Sequence, residues 1–116
     1  MESKTRPLRP RELAALLLVY VKPRTPNEIN KLIVDGYPWD IENENDVLTR
    51  NNFWTWSLNK EAQTDYILSI TENGKQLVKY LLKNLSKWRL HNLYYKCTPA
   101  AVKEISQIID EFKYWE

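Results

Sequence analysis

The side chains best able to do chemistry in this chain of 116 residues are His91 and Cys97, and each is the only one of its kind. One imidazole and one thiolate do not complete the four-ligand set of a structural zinc site. A Ser-His-Asp arrangement would need His91 as its base, and no nucleophile motif surrounds it. The pairs Glu42 with Glu44 and Asp110 with Glu111 have the right type for general acid-base work. Helix caps and solvated faces use the same residues. With two glycines in the whole chain there is no glycine-rich loop to cradle a phosphate. The expectation is therefore a protein that binds rather than reacts: not an enzyme, with no catalytic residue, metal, cofactor or small-molecule substrate.

Binding chemistry is better represented. The net charge is only +2, but it is unevenly spread. Up to Arg24 there are six cations (Lys4, Arg6, Arg9, Arg11, Lys22, Arg24) against Glu2 and Glu12. Tyr37 to Thr49 holds Asp40, Glu42, Glu44 and Asp46 with no base, and Lys75 to Lys96 holds six bases with no acid. Segregation of this kind can attract a polyanion or a complementary subunit. The arm carrying Lys4, Arg6, Arg9 and Arg11 could follow a nucleic-acid groove. Lys75, Lys79, Lys83 and Lys87 recur every fourth residue as a helical stripe, for which a solvated face is the simpler reading. Trp54 and Trp56 could stack on bases, although their pattern favours the core.

These groups need a scaffold, and the length suits one domain able to bury about two-thirds of its surface. A lone cysteine excludes an intramolecular disulfide, so a reducing, cytoplasmic location is expected. The apolar run Leu13 to Val21 is far shorter than the roughly 20 residues of a membrane span. Lys22-Pro23-Arg24 follow it in place of a small-residue cleavage site, so a core helix is expected and no membrane partner.

Helical spacing predicts a first helix from about Pro10 to Val21, with Leu13, Leu16, Leu17 and Tyr20 inward. Thr25-Pro26-Asn27-Glu28 is a capping box opening a second helix, with Ile29, Leu32 and Ile33 buried and Gly36 closing it. Asp40 or Asn43 caps a third that turns Val47 and Leu48 inward. At Phe53 to Leu58 the period changes to two. Pairing Leu58 with Tyr66, Trp56 with Leu68 and Trp54 with Ile70 matches every large side chain across an antiparallel hairpin. Thr71 then caps a helix burying Leu77, Val78, Leu81, Leu82, Leu85 and Trp88 and running to about Asn92. Thr98-Pro99 opens the last helix, whose Val102, Ile105, Ile109 and Phe112 form a narrow seam suited to one partner helix.

Three helices, a long hairpin and a helix, joined through Tyr66, Ile70, Thr71, Glu72 and Gly74, resemble a winged helix-turn-helix domain of the PadR-like and MarR-like repressors over roughly Pro10 to Leu85. The resemblance implies an α+β, mostly helical fold: three helices, a two-stranded β wing and a closing helix, here with an additional C-terminal helix. It divides the chain into a basic arm (1–9), a winged-helix domain (10–92) and a C-terminal extension (93–116). It implies double-stranded DNA as partner and transcriptional regulation as function. The third helix would read DNA through Asn43, Asn45, Thr49, Arg50 and Asn52, and the wing would contact it through Lys60, Gln63 and Thr64, helped by Arg6 and Arg9 of the arm.

A homodimer through Val102, Ile105, Ile109, Phe112 and Trp115 would present two such units to a pseudo-palindromic duplex. The same seam could instead fold back on the first or fourth helix. With Val47 and Leu48 inward, the outer face of the third helix carries Glu42 and Asp46, which oppose phosphate. An alternative is therefore a winged helix used as a protein-interaction module, its third helix docking a basic partner.

Overall fold

The computed structural model describes residues 9–34, 48–58 and 66–114. Within them the fold is α+β and mostly helical. The elements are α1 (Pro10–Val21), α2 (Pro26–Leu32), a helical stretch ending at residue 50, β1 (Trp54–Leu58), β2 (Tyr66–Ile70), α3 (Glu72–Lys83), α4 (Lys87–Tyr95) and α5 (Pro99–Tyr114).

α1 is the axis of the molecule. Glu12 accepts the Arg9 amide at 3.0 Å, capping the start of the helix behind Pro10. Every residue from Arg11 to Val19 is buried, because α3, α4, α5 and β2 all pack on this helix. The expected single inward face is thus corrected. Ala14, Ala15, Leu18 and Val19 are inside as well, while Tyr20 is half-buried, tilted against Phe112 with ring centroids 6.2 Å apart. A helix apolar all round can be covered all round.

The connection leaving α1 carries the main tie between layers. Arg24 pairs with Leu68 as an isolated antiparallel bridge, with N–H···O distances of 3.1 and 2.8 Å. Its guanidinium, 4% exposed, donates from Nε to the Leu18 carbonyl at 2.8 Å and from an Nη to the Glu104 carboxylate. One residue therefore closes the end of α1, holds the hairpin and anchors α5.

Thr25 caps α2 as expected: its hydroxyl accepts the Glu28 amide at 3.2 Å and the Glu28 carboxylate accepts the Thr25 amide at 2.8 Å. The helix stops earlier than its spacing predicts, at Leu32. Ile33 is extended and bridges to Cys97, flanked by Val34 N–H to Lys96 O at 2.8 Å and Thr98 N–H to Leu32 O at 2.9 Å. Gly36 lies outside the described residues. The proposed boundary at residue 93 falls inside α4, and residues 96–98 are stitched to the end of α2.

The hairpin register is the one the side chains dictate: Trp54 with Ile70, Trp56 with Leu68, Leu58 with Tyr66. The long helix expected after it is two helices. Asn84 ends α3, its side-chain amide donating to the Tyr80 carbonyl at 2.8 Å, and the Ser86 hydroxyl accepts the Arg89 amide at 3.2 Å to start α4. Asparagine and serine each offer the backbone a local alternative to helix. The break turns Trp88 outward to 71% exposure, overturning its expected burial.

Replacing Arg24 by Met, which keeps the aliphatic stem but removes the partner of Glu104 and one of two donors to the Leu18 carbonyl, is expected to destabilise the protein by about 2–4 kcal/mol. Glu104→Gln, which keeps an acceptor, costs clearly less. Urea unfolding of the two variants checks the order.

Candidate nucleic-acid interface

The surface a nucleic acid would meet is built where the helical stretch ending at residue 50 passes into the hairpin. The Phe53 amide donates to the Leu48 carbonyl at 2.9 Å and the Asn52 amide to the Thr49 carbonyl at 3.0 Å. This is the Schellman pattern, with Asn52 at the left-handed position, φ 61°. Leu48, fully buried, and Phe53, half-buried, are the residues whose contact accompanies such a cap. Asparagine tolerates this backbone better than most side chains.

The same residues receive the next helix. The Thr71 hydroxyl accepts the Gly74 amide at 3.0 Å and donates to the Asn52 carbonyl, while the Thr71 amide donates to the Phe53 carbonyl at 3.1 Å. A Cβ on Gly74 would lie 2.0 Å from the Phe53 oxygen and 2.6 Å from Ile70 Cγ1. Only glycine allows α3 to start this close to the strand.

Several residues expected at a DNA interface have other work. The Thr49 hydroxyl accepts the Trp54 indole N–H at 3.0 Å, so it faces the hairpin base. Asn52 is exposed, but its backbone makes the turn described above. Arg50 and Arg9 are exposed. Arg6, Asn43, Asn45, Lys60, Gln63 and Thr64 lie outside the described residues. Of the other N-terminal cations, Arg11 and Arg24 are buried, leaving Arg9 and Lys22 on the described surface.

The two hairpin tryptophans part company. Trp54 is fully buried, whereas Trp56 is 44% exposed and meets half-exposed Tyr66 edge-on at 4.4 Å. Expected burial of Trp56 is thus corrected: α1, α2 and α3 pack on β2 and cover Leu68, while Trp56, opposite it on β1, is left partly in water. Strand alternation placed both rings on one face but carried no signal of how far the helices reach.

On α5, Ile105 and Ile109 are buried in the chain's own core and Val102 and Phe112 pack partly against it; Trp115 lies outside the described residues. The seam folds back on α1, so Ile105 and Ile109 are not a free dimer face. Lys75, Lys79 and Lys83 are exposed on α3, but Lys87 belongs to the next helix. His91 is exposed on α4 and Cys97 is buried, and among the described residues no group of three or more His, Cys, Asp or Glu side chains gathers. No described helix is long and apolar enough to cross a membrane. Burial pushes the Cys97 thiol up to about 12, and its Sγ lies 3.3 Å from the Leu93 carbonyl. The Tyr94 phenol is raised too, first by burial and then by the charges of Asp110 and Cys97.

No protein-family model, curated protein or solved structure matches this chain.

Gly74→Ala is expected to cost about 1–3 kcal/mol or more in thermal unfolding, as overpacking does, while Asn52→Gly leaves stability within a few tenths of a kcal/mol and Asn52→Val lowers it by about 1–2 kcal/mol. Cys97 should resist a thiol reagent at pH 8 until the protein is unfolded. Because its folded value lies above the unfolded one, its contribution to stability is complete below about pH 9 and is lost as pH rises toward 12, which urea midpoints across that window would show.

Proposed function

We propose that the protein is a winged-helix domain that binds double-stranded DNA and regulates transcription. The observation that carries this reading is the rigid union of a helix end with a projecting hairpin through Asn52, Phe53 and Thr71. A helix and a wing fixed to each other in this way can meet adjacent features of one duplex without a further entropy cost for ordering one against the other. The Arg24–Leu68 bridge supports it further, because it ties the hairpin to the connection between α1 and α2 and so holds the wing to the helical core. Arg6, Arg9 and Lys60 would neutralise phosphate, while Asn43, Asn45 and Arg50 offer base-reading groups. A homodimer on a pseudo-palindromic site would need faces other than Ile105 and Ile109.

A second reading, a protein-interaction module, gains from the exposed Trp56–Tyr66 pair, since aromatic anchors dominate protein interfaces. Titrating mixed-sequence duplex with the protein across about 50–200 mM salt separates the two. The DNA reading expects affinity to fall steeply with salt, and Arg6→Ala and Lys60→Ala each to weaken binding and reduce the slope by about one. Absence of duplex binding at the lowest salt overturns it and leaves the interaction module.

A further inference from the structure

The break between α3 and α4 exposes a surface that the duplex reading does not use. Trp88 is 71% exposed and Tyr95 74%, far more than large aromatics normally leave in water. They are seven positions apart, which on a helix puts them on one side and about 10 Å apart along the axis. His91, also exposed, lies between them on the same side. Lys87 and Arg89 flank Trp88 in sequence and are exposed. Lys83, at the end of α3, and Lys87 line one cavity of about 350 Å³ together with Ile109 and Phe112 of α5, so the two exposed cations stand near each other across the break, on the side toward α5.

The charge is of one sign over this length, with no acid from Lys75 to Lys96. Asp110 of α5 acts on Tyr94, about a third of a turn round the helix from Trp88 and Tyr95. The fitting partner is therefore a polyanion. Which polyanion follows from the other exposed groups. Leu90 and Leu93, the aliphatic residues of α4, are half-buried and buried, so beyond its two aromatic rings the outward face lacks the continuous apolar strip that a helix lying in a membrane surface buries. It has aromatic rings instead. Rings stack on bases only where those bases are unpaired, and a cationic groove with spaced aromatics is how single strands are bound without sequence preference.

We propose that the outward face of α4 is a binding site for single-stranded nucleic acid, in which Trp88 and Tyr95 stack on unpaired bases and Lys83, Lys87 and Arg89 hold phosphates. None of its residues belongs to the arm or the wing, so it stands whether or not those bind duplex.

Fluorescence anisotropy of the full chain with a labelled oligothymidylate of about twelve nucleotides tests it. Trp88→Ala and Tyr95→Ala are each expected to weaken binding about tenfold or more, Trp88→Phe to retain most of it, and Lys87→Gln with Arg89→Gln to flatten the salt dependence. All these side chains are exposed, so unchanged circular dichroism and melting are expected of each variant. Arg6→Ala should leave oligothymidylate affinity as it is, which separates this site from duplex binding. The proposal is overturned if the oligonucleotide does not bind at about 50 mM salt, if the Trp88→Ala/Tyr95→Ala double variant binds as tightly as the parent, or if phosphatidylserine vesicles bind this face and the oligonucleotide does not.

Discussion

The structure depends on one buried cation. Arg24 has its guanidinium withdrawn from water, a position that would be costly without partners, and it finds them in the Leu18 carbonyl and the Glu104 carboxylate. Its backbone meanwhile pairs with Leu68 of the hairpin. The contacts reach from residue 18 to residue 104, so the end of the first helix, the sheet and the last helix share one point of attachment. α1 can then be surrounded on all sides, because the elements around it are tied to its own exit.

A second junction extends this order outward. Asn52 and Phe53 end one helix, begin a strand and receive the cap of the next helix within a few residues. The Cβ-free Gly74 permits that convergence by letting α3 approach the Phe53 carbonyl. Because the carbonyls of Asn52 and Phe53 both accept from Thr71 and the Phe53 amide donates to Leu48, the hairpin leaves the core in a fixed direction. Its Trp54 and Leu68 are covered, while Trp56 and Tyr66 are left partly in water.

Charge takes its meaning from this architecture. Of the cations that make the N-terminal segment basic, Arg11 and Arg24 are inside the protein and are not presented to a partner at its surface. On the other side, the Asn84 to Ser86 break redirects the following helix and places Trp88 and Tyr95 among exposed lysine and arginine. The apolar seam of α5 goes the opposite way and is consumed by α1.

Much of the local structure was legible in the sequence. The capping box at Thr25, the cap at Thr71 and the full hairpin register are short-range events, decided by side chains within reach of their own backbone or by period-two matching of large residues. Misread were Trp56 and Trp88 as core and the helix after Thr71 as continuous. Asn84 and Ser86 did signal that break, but the leucine periodicity running through them masked it. The sequence alone determined which segments turn, cap and pair, through interactions spanning a few residues. Only the tertiary structure decided which cations are buried, which aromatics meet water and where the last helix packs, because exposure depends on how far other elements reach, and that is set by contacts between residues as distant as Arg24 and Glu104.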